Sequence, residues 1–371
     1  MHAGGKRHPA GLAPERLPGS RYLTRHGFTN TVVRIEEPAV ISHRRIVSLF
    51  LILVLVAAVG SAQVFRIGSA APENSPWGRT LNRLAAEWQE MSNGRVRVQV
   101  FHNAVAGGEG DMVRKMRIGQ LQAVVMTNTG LAAFSDKVLT LSMPLLIRTQ
   151  DEFNHVLENV KDELEAQIAD DGFRVLSWST AGWLHFFSRE AIRTPQDLQG
   201  LKLAASPEEM ELVRAYQLMG YQPIPISYTE RLAALASGMV SAYMTVPILA
   251  AGFQWFGATP NMLDLQVGPA PGAVIMSERA YRRLPANIRD EMIERAREIA
   301  SSLDGEILAL QEEAVDTMVD YGLNIVEPTE EERQLWIEEF ERSYDLMLGL
   351  VFEEEIYGRI QDLLREYRSR Q

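Results

Sequence analysis

The sequence predicts an α/β protein with room for two domains. Its 371 residues are enough to enclose two cores of ordinary size. From residue 64 onward, short apolar runs of strand length alternate with longer segments whose apolar residues recur at helical spacing. A strand, a helix and a second strand in that order imply parallel pairing, because the chain needs a crossover to return to the same edge.

The first strand-helix-strand unit follows residue 63. Val64 to Gly68 has strand composition, residues 77–91 place apolar side chains at helical spacing, and residues 96–101 alternate as a strand. Glycines at 107–110 then open a helix that ends at Gly119. No Gly-Lys-Ser/Thr follows them, so an ordinary strand-to-helix loop is favoured over a phosphate site.

The second half of the chain continues the alternation. Residues 285–320 predict one long helix, weakened only at Gly305, that would measure roughly 50 Å at 1.5 Å per residue. Thr329 and Glu332 form a capping box before the next helix, and an amphipathic helix ends near Arg368. The other predicted elements are a helix at 151–170, a strand at 173–177, helices at 208–219 and 230–237, and an extended segment at 223–228.

Composition excludes several functional classes. The chain has no cysteine, so disulfides, thiolate metal sites and cysteine nucleophiles are absent. Past residue 46 only His102, His155 and His185 occur, and their spacing is not that of metal ligands, so we expect neither metal nor cofactor. Residues 46–371 hold 29 basic and 45 acidic side chains, a net charge of −16, which argues against nucleic acid as a partner.

The N-terminal region predicts export. An apolar run at 46–59 follows Arg44-Arg45 and ends in Gly60-Ser61-Ala62, as a secretory signal does. Two alternatives stay open for residues 44–62: a signal peptide cleaved after Ala62, or an uncleaved anchor in the inner membrane. Residues 1–43 show no apolar period and read as a disordered or over-extended N-terminus. We therefore expect a periplasmic protein.

The most specific pattern lies at residues 194–206. Pro195 and Asp197 make a turn, Gly200 ends it, and residues 201–205 are a short apolar run. This segment resembles the "pi-x-x-P-x-D-L-x-G-L-K-I-R" block of the TRAP-transporter solute receptors of the DctP type. The matching residues are Ile192, Pro195, Asp197, Leu198, Gly200, Leu201, Lys202 and Leu203. Ala204 stands at the position of the family's arginine.

Three weaker blocks extend the resemblance over residues 64–345. The "lGge" block is matched by Gly107, Gly108, Glu109, Val113, Gly119 and Leu121; the "l-x-x-P-f-l" turn by Leu141, Pro144, Leu145 and Leu146; and the "f-s-E-x-y-x-A-L-x-x-G-v" block by Tyr228, Glu230, Ala234, Leu235, Gly238 and Val240. Ser241 and Ala242 replace the Asp-Gly that follows in the family.

The resemblance implies a two-lobed α/β periplasmic-binding fold with a long helix spanning both lobes. Lobe I would comprise residues 64–181 and 271–312, and lobe II residues 182–270 and 313–371. Such a receptor captures a small organic ligand in the cleft and delivers it to the membrane subunits of a TRAP permease, without covalent chemistry of its own.

The same resemblance places the ligand site in the cleft. The expected residues are Asn74, Trp77, Thr127, Asn128, Trp183, Ala204, Tyr228, Tyr243 and Thr245. The family's arginine clamps a ligand carboxylate, and a second arginine common in sugar-acid receptors falls at Leu184. Without these cations a buried carboxylate loses its partner, so we expect a neutral or amphipathic ligand, unless Arg66 or Arg79 supplies the charge.

Two other functional classes remain open at this stage. The same fold could serve a sensing system or a helical-repeat periplasmic companion in place of a permease. An exported enzyme is the third class, but no G-x-S-x-G, H-E-x-x-H or P-loop sequence supports it.

Overall fold

Ten strands form one mixed sheet in the computed structural model, which describes residues 62–370. The strands are β1 (Gln63–Ser69), β2 (Val96–Phe101), β3 (Ala123–Thr127), β4 (Phe173–Ser188), β5 (Lys202–Ala205), β6 (Gln222–Pro225), β7 (Ala242–Thr245), β8 (Asn261–Leu263), β9 (Gly268–Ser277) and β10 (Asn324–Val326). The predicted export segment and residues 1–43 lie outside the described residues.

Fourteen α-helices are present among residues 62–370. They are α1 (Pro76–Met91), α2 (Glu109–Arg117), α3 (Asn128–Leu131), α4 (Lys137–Thr140), α5 (Gln150–Asp170), α6 (Pro195–Gln199), α7 (Met210–Leu218), α8 (Tyr228–Ser237), α9 (Pro247–Gly252), α10 (Glu278–Arg283), α11 (Arg289–Ser301), α12 (Asp304–Asp320), α13 (Glu330–Met347) and α14 (Glu354–Arg368). None of these helices combines the length and the apolar character that crossing a membrane requires.

The strand order β2-β1-β3-β9-β4-β7-β5-β6 divides naturally into two halves. In the first lobe β1 pairs in parallel with β2 and β3, as the strand-helix-strand pattern predicts. In the second lobe β5 pairs in parallel with β6 and β7, while β8 joins β4 and β10 joins β8. The antiparallel pair β4 and β9 lies between the two parallel groups.

The 16-residue strand β4 belongs to both lobes. Its first part pairs with β9, and its last residues pair with β7 and β8. The register against β9 shifts between Thr180 and Gly182, where Gly182 has φ +109°. There the backbone N–H of Trp183 donates to Gln311 Oε1 at 2.9 Å, so α12 is hydrogen-bonded to the strand at its irregular point.

The long helix predicted at 285–320 is two helices, α11 and α12, and this expectation is corrected. Ser302 and Leu303 separate them. The hydroxyls of Ser301 and Ser302 donate to the carbonyls three residues earlier, a local bond that competes with the helical pattern. α11 packs on the first lobe, where Trp88 Nε1 donates to the Met292 carbonyl at 2.9 Å.

The two C-terminal helices pack on different lobes. Thr329 caps α13 with Glu332 as predicted, and Trp336 Nε1 donates to the Arg193 carbonyl of the second lobe at 2.8 Å. α14 instead lies against α5 of the first lobe, through an Arg368–Glu152 ion pair at 2.7 Å. The structure thus differs from the expectation that residues 313–371 all follow the second lobe.

Gly182→Ala is expected to lower the free energy of unfolding by about 3 kcal/mol, because a Cβ at this φ is strained and would collide with Gln311 Oε1. The matched control is Gly94→Ala, since Gly94 also has a positive φ, +75°, but an added Cβ meets no atom within 4 Å. The free energy of unfolding should fall by about 1 kcal/mol in the control. Urea titration of both variants checks this, and equal losses would contradict the role assigned to Gln311.

Candidate functional site

Three adjoining cavities lie between the two lobes. The central cavity, of about 70 Å³, shares lining residues with an outer cavity of about 620 Å³ and an inner cavity of about 40 Å³. The first lobe contributes Thr127, Asn128, Thr129, Leu139, Ser142 and Pro144 to the central cavity; the second contributes Leu184, Glu209, Leu212, Tyr216, Tyr228, Met244, Thr245, Val246, Leu249 and Ala270; Val351 and Phe352 complete it.

Strand ends explain why the cavities form here. β3 ends at Thr127 and β7 ends at Thr245, and the residues that follow each strand line the central cavity. In open α/β sheets the carboxyl ends of parallel strands leave a crevice where the strand order reverses. The backbone therefore places two short polar segments, one from each lobe, on opposite walls of one space.

Glu109 is a buried carboxylate at the start of α2, beside the inner cavity. Its Oε1 accepts from the Thr127 N–H at 3.0 Å, and its Oε2 accepts from Thr127 Oγ1 at 3.1 Å and from the Gly130 N–H at 2.6 Å. Burial raises the pKa of Glu109 to about 7, although these donors oppose the shift. The carboxylate thereby fixes the turn between β3 and α3.

Glu209 lies at the junction of the central and outer cavities. Thr129 Oγ1 donates to Glu209 Oε1 at 2.8 Å, and this bond joins the first lobe to the second across the cleft. Burial raises the pKa of Glu209 above its usual range, while the charge of Arg231 opposes that shift. A carboxylic acid therefore lines the same cavity as Leu184, the position where the resemblance places the second arginine.

Arg231 is a buried arginine whose charge acts on Glu209 in this wall. Only 3% of the residue is exposed, and its Cζ lies 4.7 Å from the ring centroids of both Tyr228 and Trp255. Its Nε has no hydrogen-bond partner among the described residues. Arg231 does not line any of the three cavities, so it acts on them from behind the side chain of Tyr228.

The nine residues predicted for the site fall into two groups. Thr127, Asn128, Tyr228 and Thr245 come together around the central cavity, and Trp77 lines the inner one. The remaining four lie elsewhere: Trp183 lines a separate cavity of about 530 Å³, Ala204 and Tyr243 pack in an apolar cluster of the second lobe, and Asn74 is exposed.

The expected replacements for the missing arginine do not reach the cleft. Arg66 and Arg79 are exposed and line none of the three cavities. Arg79 instead donates to the backbone carbonyl of Asn74 at 2.5 Å. Leu184, where the second arginine would fall, does line the central cavity, and its apolar side chain leaves that position without a charge.

Sequence reasoning missed the carboxylate and the C-terminal wall. Glu209 stands in an acidic stretch before α7, and such stretches are ordinarily solvated helix ends. Val351 and Phe352 follow α13 and reach the cavity only because α14 folds back onto the first lobe. No local pattern signals either placement, since both depend on how the lobes meet.

Residues 67–349 match the family model DctP, described as bacterial extracellular solute-binding protein, family 7. The match spans most of the chain. The chain belongs to this family. The resemblance seen in the sequence to TRAP solute receptors is thereby confirmed, and receptors of this family bind small organic ligands outside the cytoplasm and work with membrane permease components.

Individual relatives agree with the family match. A solute-binding protein of Verminephrobacter eiseniae is 26% identical over 245 residues, which cover 65% of this chain and 72% of that protein.

Solved structures confirm the two-lobed α/β fold. A TRAP periplasmic solute-binding protein of Xanthobacter autotrophicus with bound β-D-galacturonate aligns with TM-score 0.73 and 18% identity, over 81% of this chain and 98% of the other. One from Shewanella oneidensis with bound succinate aligns with TM-score 0.74 and 16% identity, over 82% and 99%. At such identities the likeness shows the fold alone.

The pKa of Glu109 predicts a pH dependence of stability. Folded Glu109 holds its proton up to pH about 7, whereas the unfolded side chain releases it near 4.5. The higher pKa in the folded state stabilises the protein fully below pH 4.5, and this stabilisation is lost as the pH rises through 7. The free energy of unfolding falls by up to about 3 kcal/mol over that range, at 1.36 kcal/mol per pKa unit. Urea titrations of the full-length protein across this range measure it.

Glu109→Gln should flatten that slope, while Glu341→Gln, a change at an exposed residue, should leave it intact. Parallel pH profiles for the wild type and the Glu109 variant would show that Glu109 titrates normally.

Proposed function

We propose that this protein is an extracytoplasmic receptor of a TRAP-type secondary transporter, which captures a small organic ligand in the central cavity and delivers it to the membrane permease. Membership of the solute-binding family supports the receptor role. The observation that carries the assignment of the site is the cavity walled by Thr127–Thr129 of one lobe and Met244–Val246 of the other. A ligand there contacts both lobes, so binding favours their closure.

The ligand is proposed to be amphipathic or neutral, and not a simple dicarboxylate. No Lys or Arg lines any of the three cavities in the described part of the chain. The related structures named above hold galacturonate and succinate, which are carboxylates, and a buried carboxylate requires a cationic partner. The apolar wall is extensive, and its members are Leu139, Leu184, Leu212, Met244, Val246, Leu249, Val351 and Phe352.

Hinge closure would act through the strands that join the lobes. β4 enters both lobes, β9 pairs beside it, and α11 passes to α12 through residues 302–303. The division into 64–181 with 271–312 and 182–270 with 313–371 is retained as a proposal, with α14 following the first lobe. Irregular points such as Gly182 are suited to absorbing a change of backbone angle.

The protein is proposed to be exported to the periplasm, and the state of its N-terminus is decided by the mass of the secreted chain. A start at Gln63 indicates cleavage after Ala62, and retention of residues 44–62 indicates an anchor. Genes for four-helix and twelve-helix membrane subunits beside this one would support a permease partner. A sensing partner or a helical-repeat companion is the alternative, and no observation favours it.

Met244→Trp is expected to reduce ligand binding at least tenfold, because the larger side chain fills the central cavity. Met239→Trp is the matched control: Met239 is 53% exposed and lines none of the three cavities, so binding should be unchanged. Native mass spectrometry identifies the ligand that copurifies with the full-length wild type. Calorimetry with that compound then compares the two variants.

Unchanged affinity in the Met244 variant would place the ligand elsewhere. The receptor function itself would be contradicted by two results together: the protein copurifies with no small molecule, and no compound in a broad metabolite panel raises its melting temperature.

A further inference from the structure

The walls of the three interlobe cavities carry charge of one sign. Their ionisable lining residues, other than tyrosine, are all carboxylic acids, and no Lys, Arg or His lines them in the described part of the chain. The seven carboxylates are Glu109, Asp136, Glu208, Glu209, Glu211, Glu353 and Glu354. A cleft with such walls concentrates cations and repels anions, because its low-dielectric sides focus the field.

These carboxylates also lack cationic partners. Elsewhere in residues 62–370, several buried or half-buried carboxylates pair with arginine, as Glu152 does with Arg368 and Glu87 with Arg295. None of the seven forms an ion pair within the described residues. Glu109 holds its proton up to pH about 7, and the negative charge of those that are ionised is available to a ligand.

Glu209 is the member placed to touch that ligand. It lines both the central and the outer cavity, and its Oε1 accepts from Thr129 Oγ1 at 2.8 Å. Its Oε2 accepts no hydrogen bond from any described residue. One oxygen thus holds the opposite lobe, and the other can accept from a ligand.

A second polar group in the same cavity is also without a partner. Ser142 lines the central cavity, is 9% exposed, and its Oγ makes no hydrogen bond within residues 62–370. A buried hydroxyl without a partner is costly, so a polar group of the ligand is the natural complement. Tyr216, Tyr228 and Phe352 add aromatic faces, which attract organic cations.

We propose that the interlobe site binds an organic cation, an amine or quaternary ammonium compound with an apolar body, whose positive charge is held by Glu209. The inference rests on the proposed function and names the ligand class of that same site. The apolar wall contacts the body of the ligand, the aromatic faces surround the charged head, and the acidic outer cavity raises the rate of capture.

Charged groups near Glu209 shift its pKa in opposite directions, and Glu209 shifts the pKa values of its neighbours. The charge of Arg231 favours the ionised carboxylate, whereas Glu208 disfavours it. Glu209 in turn acts on Glu109, Tyr216 and Tyr228, whose pKa values it raises. An incoming cation stabilises the ionised form of Glu209, so affinity for a quaternary ammonium, which carries no titrating proton, should rise with pH as Glu209 loses its proton.

Three probes of one shape but different charge test the proposal: 2-phenylethylamine, 2-phenylethanol and 3-phenylpropanoate. Isothermal calorimetry on the full-length protein is expected to show the amine binding at least tenfold more tightly than the other two. Added salt should weaken the binding of the amine, since part of its electrostatic attraction to the carboxylates is long-ranged. Glu209→Gln should abolish the preference for the amine, and Glu341→Gln, at an exposed residue outside the cavities, should preserve it.

The Thr129→Val variant distinguishes the effect of the Glu209 charge from that of the hydrogen bond between the lobes. This variant loses the bond between the lobes but retains the carboxylate, so the preference for the amine should persist even if all affinities fall. An amine that binds no more tightly than the alcohol and the carboxylate overturns the proposal. So does a carboxylate ligand whose binding requires Arg231, measured with Arg231→Met. Either result leaves the receptor function intact if the copurified ligand is still lost in the Met244→Trp variant.

Discussion

The two lobes are joined through one strand, β4, which belongs to both of them. β4 hydrogen-bonds to β9 along its first part and to β7 and β8 at its end. β9 in turn pairs with β3, so the parallel strands of the first lobe are joined to β4 through β9, and those of the second lobe through β7. A strand in that position is covered on both faces, and residues 180–188 are accordingly buried without interruption. The cleft exists because the parallel strands on either side of this pair end facing a common space.

Carboxylates organise that space, and they do so largely through neutral donors. Glu109 is held by two backbone N–H groups and one hydroxyl, and Glu209 by a hydroxyl from the opposite lobe. Hydrogen bonds of this kind stabilise an ionised acid but leave its net charge uncompensated. Burial raises the pKa of both acids, so the negative potential of the site develops as the pH rises and each acid loses its proton. A paired cation would have cancelled that potential, and this distinguishes the site from a pocket built around a guanidinium.

Local signals in the sequence predicted the fold better than the site. The parallel unit of β1, α1 and β2, the capping box at Thr329 and the class of the fold all follow from patterns within a few residues. The break at residues 302–303 did not, because helical spacing continues through it and only the serine hydroxyls mark the end. Ala204 was recognised as a missing charge, but the placement of Glu209 opposite Thr129 depends on contact between segments 80 residues apart.

Because Glu209 accepts a hydrogen bond from Thr129 and also lines the central cavity, it takes part in two equilibria, the approach of the lobes and the proposed binding of a ligand. Its first oxygen accepts the hydrogen bond from Thr129 of the opposite lobe, and its second has no hydrogen-bond partner among the described residues beside the central cavity. By thermodynamic linkage, if closure of the lobes changes the affinity for a ligand at this acid by some factor, the ligand changes the equilibrium constant for closure by the same factor. On the proposed assignment, a cation held by Glu209 would bind less tightly in an acidified medium, because protonation removes the charge that holds it.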